Sequence, residues 1–115
     1  MKNTVYIAQY ADLERYIQEY SPKNIAFFEV IDRDGTTYCR KLIPNKRRVM
    51  QLKDGTELNF LKPSGKITHE DDFFNLPFMK KADMMVMVRD KEYAEEIYVK
   101  GKGFEYFGKS LKEVA

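Results

Sequence analysis

From Ile25 to Lys62 the chain alternates short β-branched and aromatic runs with turn residues: Asp32-Arg33-Asp34-Gly35, then Pro44-Asn45-Lys46, then Lys53-Asp54-Gly55. This punctuation predicts a four-strand antiparallel meander at the centre of the molecule. The third turn also sets a register. With Lys53 and Asp54 in a type I turn and Gly55 left-handed, Leu52 faces Thr56 and Met50 faces Leu58. Met50, Leu52, Leu58 and Phe60 then share one face, while Gln51, Glu57 and Asn59 share the other, as a half-solvated sheet requires.

The flanks must complete that sheet. Val5-Tyr6-Ile7-Ala8 suits a strand, and Asp12 offers a side-chain oxygen to cap a helix. Leu13, Tyr16, Ile17 and Tyr20 recur at helical spacing and give one apolar stripe, which Ser21-Pro22 stops. Beyond Pro63-Ser64-Gly65, Thr68 is expected to cap a short helix through Phe73 and Phe74, with Asp71 in the capping-box position and Pro77 ending it. Met84-Met85-Val86-Met87-Val88 is apolar on both alternating faces and predicts a central strand covered on both sides. The four methionines Met79, Met84, Met85 and Met87 therefore belong to a core, or to a binding patch with Phe74 and Phe78 if one face is bare. Asp90 is expected to cap another helix, with a stripe of Tyr93, Ala94, Ile97 and Tyr98 closed by Gly101, and Phe104 to Phe107 make a last strand.

These elements add up to one α+β domain over residues 1–115, a mostly antiparallel sheet with two or three helices packed on one face. No repeat, low-complexity tract or linker marks a boundary. Lys plus Arg number 20 against 18 Asp plus Glu, so a formal charge of +2 falls far short of the excess a dedicated nucleic-acid coat carries. Cys39 is the only cysteine, which rules out an intramolecular disulfide and suits a reducing cytoplasm. Neither a signal peptide nor a membrane span is expected, since no apolar run is long enough for either.

Few residues suggest catalysis. Gly103-Phe104-Glu105-Tyr106-Phe107-Gly108-Lys109-Ser110 satisfies the P-loop pattern, but bulky side chains fill the loop where slim ones must let backbone N–H groups wrap phosphate. A Cys-His nucleophile pair would require Cys39 to meet His69, the single histidine. His69-Glu70-Asp71-Asp72 offers two metal-type ligands on one helical face, and reads more simply as an acidic first turn favoured by the helix dipole. Asp32 to Gly35 begins like a calcium loop, yet Pro44 stands near where the bidentate Glu should fall. A metal-dependent phosphodiesterase or nuclease would have to assemble Glu29, Asp32, Asp34 or Glu57 on neighbouring strands. The sequence calls for no cofactor.

Binding surfaces are better represented. Lys46-Arg47-Arg48 follows the Pro44-Asn45 turn and Lys41 precedes it, which would cluster positive charge at one hairpin tip. Lys100, Lys102 and Lys109 bracket Phe104, Tyr106 and Phe107, so charge and aromatic rings interleave as on single-stranded nucleic-acid surfaces. The segment Lys100 to Phe107 resembles the RNP1 motif of RNA-recognition motifs, and Val5 to Tyr10 is similar to the RNP2 partner. That resemblance implies an RNA-stacking sheet, although Lys102 stands where the family usually has an aromatic and Glu105 where it has an apolar residue. By elimination the chain has the profile of a bacterial or phage accessory protein, a non-catalytic modulator that docks on a protein or ribonucleoprotein partner. Direct RNA or single-stranded DNA binding through Lys46, Arg47, Arg48, Lys100, Lys102, Phe104, Tyr106 and Phe107 is the alternative, and metal-dependent phosphodiester chemistry is a third.

Overall fold

The structure is a computed structural model that describes residues 4–8, 11–89 and 95–106. Its elements run β1 (Thr4–Tyr6), α1 (Ala11–Tyr20), β2 (Ile25–Arg33), β3 (Thr36–Gln51), β4 (Glu57–His69), α2 (Glu70–Phe73), α3 (Pro77–Lys80), β5 (Met84–Val88), β6 (Glu95–Val99) and β7 (Gly103–Tyr106). The seven strands make one sheet in the order β1-β4-β3-β2-β5-β6-β7. It is mixed, because β1 runs parallel to β4 and β2 parallel to β5 while the other neighbours are antiparallel.

The core lies on both sides of β2 and β5. Phe27, Met84, Val86 and Val88 point to one side, where Leu13 of α1 joins them with Leu42, Ile97 and Val99. Ala26, Phe28, Val30, Cys39 and Met87 point to the other, against Phe73 of α2 and Met79 of α3. Helices on one face alone would leave half of these continuous apolar runs in water, so they divide between the two faces and the expected one-sided packing is overturned. Met84 and Val86 are fully buried and Met79 is 1% exposed, so most of the methionine-rich region is core. Tyr16 is half-buried against that core, and its hydroxyl donates to the Glu105 carboxylate, tying α1 to β7.

The two glycine turns form as their chemistry demands. Asp34 (φ 51°) and Gly35 (φ 78°) are both left-handed between paired Arg33 and Thr36, the twist-compatible hairpin turn. At the second, Gly55 has φ 89°, the Leu52 N–H donates to the Thr56 carbonyl at 2.8 Å, and Met50 pairs with Leu58. The predicted register holds, but only Leu58 of its apolar face is buried, at 6% exposure, with Met50 at 53% and Leu52 at 46%.

Four expectations are corrected. Pro44-Asn45-Lys46 is not a hairpin turn: β3 continues through it, and residues 45–48 bulge opposite the single residue Phe60 before pairing resumes at Val49 and Asn59, so the meander has three strands. Pro44 has no N–H to give the ladder, and Asn45 Oδ1 accepts the Arg47 N–H at 3.1 Å, which stabilises the irregular turn inside a strand. β4 runs on to His69, whose Nδ1 accepts the Asp71 N–H at 3.2 Å, so His69 replaces Thr68 as the helix cap. Pro77 starts α3 instead of ending α2, since a proline lacking its N–H costs nothing at the first helical position.

The fourth concerns Glu95–Val99, which is a strand and not the end of a helix. Glu95, Ile97 and Val99 alternate inward, and the strand completes the open edge of β5. Gly101, at φ 86°, turns the chain into β7, with the Lys102 N–H donating to the Val99 carbonyl at 2.8 Å. Asp90, Tyr93 and Ala94 lie outside the described residues. Among the described residues, no helix is long and apolar enough to cross a membrane.

Candidate functional site

One end of the sheet gathers the polar surface. There β2 and β5 begin side by side at Ile25 and Met84, β6 ends at Val99 opposite Met84, and β3 leaves regular pairing at Pro44. Asp83 organises it: its backbone N–H donates to the Asn24 carbonyl at 2.9 Å, its carbonyl accepts the Lys100 N–H at 2.9 Å, and its Oδ2 accepts the Lys23 N–H at 3.0 Å. The 21–24 connection is thereby pinned across the end of the sheet. Ser21 makes the bend out of α1 with φ 44°, and Pro22 prevents the helix continuing.

On each side of this connection lies an open cleft. The larger, of about 540 Å³, is lined by Ala26, Phe27, Leu42 and Ile43 at the ends of the β2 and β3 pairing, and by Tyr6, Phe78, Lys23, Lys41 and Lys81. Among the described residues, no carboxylate lines it. Lys41 Nζ sits 4.5 Å from the centre of the Phe78 ring. The smaller, of about 420 Å³, is lined by Tyr20, Lys23, Asp83 and Lys100 among others, and Lys102 Nζ lies 6.0 Å from the Tyr20 ring centre.

The predicted binding residues divide between two places. Lys46, Arg47 and Arg48 are exposed on the bulge beyond Pro44, and Arg48 stacks 4.5 Å above the Phe60 ring. They stand in mid-strand, not at a hairpin tip as expected. Beyond Leu42, β3 has no β2 partner, so this stretch and its neighbours Val49 (41% exposed), Met50 and Leu52 form an arm that, among the described residues, pairs with β4, which β1 flanks. Lys100 and Lys102 lie at the β6–β7 turn; Phe104 is 57% exposed with its ring 4.9 Å from Tyr98, and Tyr106 is paired with Glu96 on β7. Phe107 and Lys109 lie outside the described residues.

Three strands, β2, β5 and β6, separate the basic bulge of β3 from β7, so the two groups do not form one ribbon. The RNP1-like and RNP2-like segments are further apart: they occupy the outermost strands β7 and β1, with five strands between. Their aromatics cannot make a joint stacking platform, and the resemblance to RNA-recognition motifs does not extend to the fold. The interior of the P-loop-like stretch is strand from Gly103 to Tyr106, with its backbone in a ladder instead of a phosphate cradle.

The nucleophile and metal candidates fare as follows. Cys39 pairs with Thr68 and His69 with Tyr38, so the two side chains leave neighbouring strands on opposite faces. Burial pushes the Cys39 thiol up to about 11, with Glu70 and Asp32 adding to the effect. His69 packs edge-on to Tyr38 at 6.0 Å. Glu29 is paired with Arg40 directly across the hairpin, and Asp32 Oδ1 accepts the Thr37 hydroxyl at 2.9 Å. Among the described residues, no three His, Cys, Asp or Glu side chains converge as a metal site.

Sequence reasoning missed Lys23 and Lys81 as members of a basic site. Both are single lysines at element ends, and only the parallel pairing of β2 with β5 brings those ends together. The one local signal was that each follows a helix stop, Ser21-Pro22 for the first and the last turn of α3 for the second. Compared with known proteins, the chain matches no family model, no curated protein and no solved structure.

Proposed function

We propose that this protein is a non-catalytic cytosolic binding module whose β3–β4 arm docks on a protein or ribonucleoprotein partner and modulates it. The observation that carries this reading is the arm itself, where exposed Val49, Met50 and Leu52 adjoin Lys46, Arg47 and Arg48. Scattered exposed apolar residues need no explanation, but three within four positions, edged by arginines, have the composition of an interface centre with a charged rim. The charge argues for a partner with an acidic or phosphate-bearing border around an apolar patch.

Affinity capture from the native cytosol, with and without nuclease, tests the proposal. One stoichiometric protein that persists after nuclease, and is lost on Met50→Asp or Leu52→Asp, is the expected result. Loss of every partner on nuclease treatment would favour direct nucleic-acid binding, for which exposed Phe104 beside Lys102 is the supporting feature. In that case affinity should fall steeply with salt, with roughly one unit of slope lost for each phosphate-contacting Lys or Arg removed.

A further inference from the structure

We infer that the 540 Å³ cleft at the sheet end is a binding site for a nucleotide, with its phosphate held by Lys23, Lys41 and Lys81 and its base laid against Phe78. This goes beyond the docking arm, which lies on the other side of Pro44. Three lysines from separate parts of the chain, the 21–24 connection, mid-β3 and the residue after α3, line one concavity. None is in an ion pair with a carboxylate among the described residues. Like charges gathered in a concave wall raise the local potential and repel one another, an arrangement that an anion relieves.

The rest of the lining sets the ligand class. A volume of about 540 Å³ lies within the usual range for small-molecule sites. Phe78, Ala26 and Ile43 line the cleft together with Asn24, so a simple inorganic anion would leave most of the surface unused. A phosphate ester on a flat heteroaromatic body matches both halves: the ammonium groups attract its charge, and stacking recognises the ring without choosing among bases. The same chemistry is presented by a free mononucleotide and by one unit of a single strand. The cleft is open to solvent on the side of Lys23 and Lys81, both of which are exposed, so either source has access.

The full chain should be titrated with AMP, with inorganic phosphate and with an eight-nucleotide oligo(U), followed by backbone amide NMR. The expected result is that AMP shifts the amides of residues 23–27 and 41–43 and binds roughly tenfold more tightly than inorganic phosphate, the margin one stacked base supplies. Lys41→Gln and Lys81→Gln should each weaken AMP roughly tenfold, the usual loss for one charge-assisted contact. Phe78→Leu should weaken AMP while leaving phosphate unchanged. Saturation of the same amides by oligo(U) well below the AMP concentration required would identify a strand as the source; equal or weaker binding of the oligomer would identify the free nucleotide. The proposal is overturned if neither AMP nor oligo(U) shifts these amides at millimolar concentration, if both lysine variants bind as the parent does, or if phosphate competes as well as AMP.

Discussion

Replacing Glu95 with Gln should remove a stability penalty that the protein carries at neutral and alkaline pH. Glu95 opens β6 opposite Val88; its side chain is fully buried, and neither carboxylate oxygen has a hydrogen-bond partner among the described residues. Burial alone pushes its carboxyl from 4.5 up to about 9. Between those two values the folded protein holds a proton that the unfolded chain releases, so stability is fullest below the unfolded value and falls as pH rises through the window. From an unfolded value of 4.5 to pH 7 the loss is roughly 3 kcal/mol, at 1.36 kcal/mol per pH unit. Urea denaturation of parent and Glu95→Gln at pH 5.5 and pH 8 reads it directly. The variant's advantage should grow by roughly 3 kcal/mol between the two conditions, a large share of a small domain's total stability. Parallel profiles would refute the reasoning, because they would mean that the carboxylate ionises in the folded state without cost and so reaches water or a partner.

Two further outcomes follow from the core. Phe28 is fully buried, with its ring centre 5.3 Å from Phe73 and 5.6 Å from Phe74, so Phe28→Ala should cost about 3–5 kcal/mol and lower the thermal midpoint sharply in calorimetry. The Cys39 thiol, 1% exposed and held up to about 11, should react with an aromatic disulfide reagent at pH 8 far more slowly than a free thiol and at full speed in urea; fast reaction in the native state would contradict its burial.

What could be read from the residues was whatever is decided locally. The α1 stripe, the Gly55 turn with its register and the two-sided apolar run Met84–Val88 each carry their signal within a few positions, and each appears in the structure. Residues 93–99 carry two signals at once: Tyr93, Ala94, Ile97 and Tyr98 fit a helical stripe, while Glu95, Ile97 and Val99 fit alternation. The unfilled edge of β5 decides between them at Ile97, and that edge is invisible from within the segment. Pro44-Asn45-Lys46 carries the residues of a turn but forms a bulge, because whether such a break reverses the chain depends on β4 continuing beside it. The cleft could not be read as one place: Lys41 groups in sequence with Lys46 to Arg48, and Lys23 and Lys81 come to the same end of the sheet only once β2 and β5 lie parallel.

That parallel pair has a consequence for how the molecule is assembled. β2 and its neighbour β5 are separated by the whole β3–β4 hairpin and two short helices, so their ladder closes a loop of some fifty residues, a slow step compared with hairpin formation. During synthesis the ribosome delivers Ile25–Arg33 long before Met84–Val88, and until then one border of the nascent sheet presents Phe27 and Phe28 beside bare amides. A nascent chain stalled short of Met84 is therefore primed to stick to whatever strand it meets first.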